Sequence, residues 1–181
     1  IYMKCLFQKL NFLCKSMILC IDAYYFNNKA KVSGGLFQSW TDSTFYKVYN
    51  CDCDDVLPYE PGSFYQRELP CLKKLIYKIS EPIEVIIIDG YVTLGSDMKK
   101  GLGAHLYEEL NQRIPVIGVA KSKFKDTPEE CFIFRGQSLS PLYITCLGIP
   151  LEMAKKYINS MVGEYRIPLL LKEIDKISRS I

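Results

Sequence analysis

The chain has 181 residues, 49% of them hydrophobic and 24% charged, with 11 Gly and 9 Pro, and a mean hydropathy of +0.02. These values exclude a disordered or collagen-like chain and suit one globular domain with its own core. Twenty-three Lys and Arg against 20 Asp and Glu give a net charge of +3, which permits nucleic-acid binding but falls short of the strongly basic domains whose charge alone names that partner.

The longest apolar run, around IEVIIIDGYV, is far below the roughly 20 residues of a membrane span. Eight cysteines, several of them inside apolar runs, read as reduced, buried thiols. The composition therefore reads as a soluble, cytoplasmic monomer with no membrane partner. Residues 1–16 mix lysines with apolar residues but lack a clean apolar stretch and a small-residue cleavage site. They read as a non-native or flexible extension ahead of a single domain over residues 17–181, or else as a short amphipathic helix packed on that domain.

From Met17 the pattern predicts strands over 17–25, 30–40 and 44–50, joined by the polar turns NNKA and TDS, an antiparallel meander. CDCDDVLPYEPG is loop, and Leu72, Leu75, Ile76 and Ile79 then recur at helical spacing. Pro70 falls near the expected start of that helix, where proline costs least. A strand over 84–90, a helix over 99–113 and a strand over 115–121 follow, then strands near 131–135 and 141–146, a helix over 150–161 and an amphipathic helix after Pro168. Strands separated by helices imply parallel pairing, and the unbroken run Val85-Ile86-Ile87-Ile88 suits a strand buried on both faces. A three-strand antiparallel meander continuing into parallel strands with flanking helices is the element order of the ribonuclease H-like α/β fold.

Two strand runs end in an acid, MILCID at Asp22 and VIIID at Asp89. A carboxylate there is costly to bury unless paired or bound to metal, and strand carboxyl ends are where ligands sit in open α/β sheets. A turn explains each acid taken singly, Asp-Gly at 89–90 above all. Glu68, in the expected first turn of its helix, could equally serve the helix dipole. Together, three carboxylates suit an oxygen-liganded divalent ion, whose chemistry is that of phosphoryl transfer. Cys51 and Cys53 form the one close cysteine pair, and with a single histidine in the chain, His105, they fall short of the four ligands of a structural zinc site. His105 itself, in mid-helix, reads as a packing residue.

The surrounding motifs select these acids. PYEPGSFYQRELP (58–70), IIIDGY (86–91), GLGAHLYEEL (101–110) and IPVIGVAKS (114–122) stand in the same order as motifs of the endonuclease V family, followed by PLYIT (141–145) and GEYRIP (163–168). Over about residues 17–180 the chain resembles that family. The resemblance implies a ribonuclease H-like fold and a Mg2+-dependent endonuclease, with Mn2+ able to substitute, that cuts the phosphodiester on the 3′ side of inosine in DNA or RNA. It implies Asp22, Glu68 and Asp89 as metal ligands, Lys121 beside the scissile phosphate, Tyr59 and Pro61 as the wedge that fills the gap of a flipped base, and Gly62 and Gly90 as points where backbone approaches that base.

Three features depart from the family pattern, one being that the Pro-Glu-Pro-x-Arg expected after Gly-Tyr-Arg is replaced by Pro168-Leu-Leu-Leu-Lys172. YVTLGSDMKK (91–100) lacks the His-Pro-Arg expected after Asp-Gly, and no histidine follows His105, although a late one is expected near Leu147. Glu152 lies nearby, but at the start of a helix, where an acid serves the helix dipole. These departures keep open an alternative, a relative with the same fold that binds nucleic acid without cutting it.

Overall fold

The computed structural model describes residues 16–54, 56–58 and 64–180. Apart from Ser16, the extension expected at 1–16 lies outside the described residues. The elements run β1 (Met17–Phe26), β2 (Lys29–Phe37), β3 (Lys47–Cys53), α1 (Phe64–Ile76), β4 (Ile83–Asp89), β5 (Thr93–Leu94), β6 (Lys99–Lys100), α2 (Leu102–Glu109), β7 (Val116–Ala120), β8 (Phe132–Ile133), β9 (Leu142–Leu147), α3 (Leu151–Ser160) and α4 (Leu169–Arg179).

Seven strands form one mixed sheet in the order β3-β2-β1-β4-β7-β9-β8, while β5 and β6 pair separately. The pairs β1–β4 and β4–β7 are parallel. The β1–β2, β2–β3, β7–β9 and β8–β9 pairs are antiparallel. This is the expected meander running into parallel strands, in a ribonuclease H-like α/β architecture. The β1–β2 turn is Asn27-Asn28, with φ of 43° and 59°, the left-handed pair that tight hairpins need and that asparagine tolerates.

Both faces of the sheet are covered, and the alternation of each strand decides what lies beneath which helix. Leu19, Ile21, Ile86 and Ile88 pack with Leu72 and Leu75 of α1 and with Ala104 and Leu106 of α2. On the other face Ile18, Cys20, Val85 and Ile87 pack with Ala154 and Ile158 of α3 and with Leu170 and Ile174 of α4. By the same alternation Asp22 and Asp89 fall on the α4 face.

Several expected boundaries move, each for a local reason. β2 stops at Phe37 because the chain turns at Ser39–Asp42, where the Asp42 carboxylate accepts from the Gln38 and Ser39 amides at 2.9 Å each. Trp40 then leaves the sheet to stack on Tyr157 of α3, with ring centroids 4.4 Å apart. The helix expected over 99–113 is shorter, since Lys99–Lys100 pairs with Thr93–Leu94 and Asn111 and Gln112 enter the left-handed region at φ 54° and 57°. Pro70 sits inside α1, past its first turn. The described cysteines carry free thiols, and no helix among the described residues is long and apolar enough to cross a membrane.

Candidate functional site

Asp89 is the last residue of β4. Asp22 is not a strand end: β1 continues to Phe26, and Asp22 follows the last β1–β4 pair, Ile21 with Ile88. The two carboxylates therefore stand side by side where the central parallel pairing stops, with β2 and β7 on their flanks. α4 crosses the same end of the sheet and brings Asp175. Oxygens of Asp22, Asp89 and Asp175 all lie within 4.8 Å of one another.

Glu68 reaches the region from the opposite layer. It sits past the first turn of α1, which holds no acid, and is 8% exposed. With Asp22 and Asp89 it lines one open cleft, together with Ile21, Leu72 and Arg179, although it is not a member of the 4.8 Å cluster. Lys121, just past β7, places its Nζ 2.6 Å from Asp89 Oδ2 and 3.8 Å from Asp175 Oδ1. Arg179 bonds Asp175 Oδ1 at 3.2 Å from one turn further along α4. Ser178, fully buried, donates to Asp22 Oδ2 at 2.5 Å and so registers α4 against β1.

The charges in this cleft are out of balance. Burial pushes the Glu68 carboxyl up to about 8, and the charge of Asp22 adds to the shift. Burial also raises Asp22; the Ser178 hydrogen bond opposes this, while Asp89 and Asp175 reinforce it. Burial works against the charge of Lys121, but the Asp89 contact and the surrounding carboxylates outweigh it and hold the ammonium above its ordinary value. Carboxylates that resist ionisation because they are buried, and secondarily because they face one another, gain from an added cation. The donors are all oxygen, with no thiolate or imidazole among them, which fits a hard ion such as Mg2+ or Mn2+ and not zinc.

The remaining sequence candidates fall as follows. Gly90 has φ 129°, and a side chain there would meet nothing within 4 Å, so the backbone after Asp89 is open to approach. Tyr59, Pro61 and Gly62 lie outside the described residues. His105 stacks on Tyr65 with centroids 3.6 Å apart, the packing role expected of it. Glu152 pairs with Lys155 at 2.9 Å and takes no part in the acidic cluster. The group that joins the strand aspartates is not a late histidine near Leu147 but Asp175, 28 residues further on, which the sequence reading missed. In LLLKEIDKISR the helical period marks Asp175 only as a polar position beside buried Ile174, and nothing local distinguishes it from Glu173.

Fold and cluster together define a ribonuclease H-like protein with an acidic, cation-suited centre at the ends of its central parallel strands. The family model for Endonuclease V matches residues 7–139. The chain belongs to the endonuclease V family, whose members are metal-dependent nucleases that hydrolyse phosphodiester bonds. It is 30% identical to an endonuclease V of Pyrococcus abyssi over 91% of this chain and 79% of that protein. To an endonuclease V of Pyrococcus horikoshii it is 27% identical, over 90% of this chain and 72% of the relative. Among solved structures, the endonuclease V of Ciona intestinalis, in complex with a 24mer DNA containing an inosine followed by a ribo-adenosine, superposes with a TM-score of 0.73 at 17% identity, over 91% of this chain and 84% of that one.

Proposed function

We propose that this chain is a Mg2+-dependent endonuclease that cleaves on the 3′ side of inosine in DNA or RNA. The observation that carries the reading is the cluster of Asp22, Asp89 and Asp175 within 4.8 Å, with Lys121 against it. The inosine-containing DNA bound to the Ciona relative supports the substrate.

In this reading Asp22, Asp89 and Asp175 hold the ion, with Glu68 reaching it from α1. When bound, the ion supplies positive charge to the phosphate and acidifies water. Lys121, whose Nζ lies 2.6 Å from Asp89 Oδ2, would hold its ammonium at a non-bridging phosphate oxygen and offset the charge that builds there. Glu68, pushed up to about 8 by burial, holds its proton at neutral pH, and would offer a further carboxylate oxygen to a bound cation once ionised. Gly90 offers open backbone beside the flipped base, Gly62 does the same from its turn, and Tyr59 with Pro61 fills the gap the base leaves. The alternative, a relative that binds without cutting, drew on the absence of a late histidine. Asp175 supplies a carboxylate from the C-terminal helix instead, which favours cutting.

The test is nicking of an oligonucleotide with one inosine, against the same strand with adenine, with and without Mg2+. The expected result is cleavage that needs both inosine and metal and that Asp89→Asn abolishes. Intact cleavage by Asp89→Asn would overturn the reading. Inosine binding with no cleavage by the wild type would establish the binding-only alternative.

A further inference from the structure

The segment GEYRIP (163–168) has no role in the site as described, yet it is held with unusual firmness. Arg135 is 5% exposed, and its guanidinium bonds only to backbone carbonyls of this segment and its approach. Nη1 donates to Tyr165 O at 3.0 Å and Arg166 O at 3.3 Å, and Nη2 to Met161 O and Gly163 O. Burying a guanidinium is expensive unless its donors are satisfied, so the fold commits a buried charge to fixing one surface loop.

That loop presents Tyr165, whose side chain is among the most exposed aromatics, at 71%. Lys172 of α4 holds its Nζ 5.7 Å from the ring centroid. Isolated exposed aromatics are common and by themselves mean little, but this one stands on backbone held by Arg135 and is linked through its neighbour Arg166 to Lys121. The next residue, Arg166, donates through Nη2 to the Lys121 carbonyl, and Lys121 reaches Asp89. Lys172 precedes Asp175 by three residues on α4, about one helical turn. An exposed ring with the exposed Lys172 ammonium over it has the two parts of a single-strand contact, a stacking face and a cation for a phosphate.

We infer that Tyr165 is a stacking platform for a base of the substrate strand flanking the cleaved position, positioned by Arg135 and flanked by Lys172; this rests on the nuclease reading above. The platform accepts any base, because every base offers a π-face, so it adds affinity without choosing inosine. It differs from the proposed Tyr59 wedge in acting on a neighbouring nucleotide.

The test is the affinity of a labelled single-stranded oligonucleotide with one inosine, measured without Mg2+, beside nicking of the same strand with Mg2+. Tyr165→Ala should weaken binding about five- to a hundredfold, with a matching rise in KM and little change in kcat. Tyr165→Phe and Tyr165→Trp should keep wild-type affinity, since the ring and not the hydroxyl is used. Lys172→Ala should weaken binding and lower the salt dependence by about one counterion. Unchanged affinity in Tyr165→Ala, or a loss in Tyr165→Phe equal to that in Tyr165→Ala, overturns the inference. If the wild type fails to nick but binds, the cleavage reading falls while Tyr165 dependence still decides the platform; if it binds no oligonucleotide, both fall.

Discussion

Replacing Asp175 with asparagine takes one negative charge from a cluster whose oxygens lie within 4.8 Å of one another. Mn2+ affinity, read by the loss of free-ion signal in electron paramagnetic resonance, should fall at least about tenfold, since charge count sets the affinity of such sites. Glu152→Gln should leave it unchanged, because Glu152 pairs only with Lys155. The opposite result would return the late acid to the α3 terminus. Tyr59 and Asp89 should separate reading from cutting. Tyr59→Ala should lower inosine-over-adenine discrimination roughly ten- to a hundredfold while Mn2+ affinity holds, and Asp89→Asn should keep lesion binding while cleavage collapses. At this scale the meeting of Asp22 and Asp89 was legible in the sequence because each follows an apolar run and the surrounding motif order singles them out from the turn explanation. Asp175 was not, because an amphipathic helix gives every polar position a solvent-facing explanation, and only docking of α4 shows which acid turns toward the sheet.

Strand and helix contacts carry their own tests. Gly118, in the middle of β7, lies under the chain that follows Asp89: a Cβ there would sit 2.5 Å from Gly90 O and 2.8 Å from Val92 N. Both obstacles are backbone, so Gly118→Ala must displace the segment that carries Asp89. The expected outcome is lower thermal stability by about 1–3 kcal/mol, the usual cost of overpacking, together with weaker Mn2+ binding; an unperturbed variant would mean that the 89–92 backbone yields freely. Pro70 is exposed inside α1 and lacks the amide that would bond one turn back. Pro70→Ala should stabilise the protein by up to about 3 kcal/mol in a urea titration. The meander, the buried β4 run and the crossover through α2 could be read from period and turn residues. The β5–β6 pair could not: two-residue strands have no period to detect, and Lys99-Lys100 fits a helix as well as a hairpin until Gly101 N is seen bonding to Val92 O at 2.8 Å.

Across the whole molecule, the buried acids set how stability responds to pH. Glu68 rises from an ordinary 4.5 to about 8 in the folded protein, so the stability it contributes is fully present below pH 4.5 and is lost as pH climbs through about 8. Asp22 is displaced in the same direction. Glu81, lowered to about 2 by Tyr49 and Lys47, has its full effect above pH 4.5 and adds no slope beyond it. His105, depressed by burial, acts oppositely, contributing above pH 6.5 and losing that contribution on acidification. The metal-free protein should therefore show a falling Tm from pH 5 to 8 that Glu68→Gln flattens, and saturating Mg2+ should raise Tm more at pH 8 than at pH 6. A metal-free Tm that climbs steadily over that range would refute the buried-acid account.

Elements far apart along the described chain meet at the acidic cluster. Asp22 lies in the first strand and Asp175 in α4, and Ser178 of that helix is what clasps Asp22. During synthesis the central sheet can assemble as β1, β4 and β7 emerge in turn, yet the cluster waits for residues 169–179 to clear the ribosome. A chain made only just past β7 carries Asp22 and Asp89 at the sheet end, with Lys121 but without Asp175. Any activity built on that cluster has to wait until translation has passed α4.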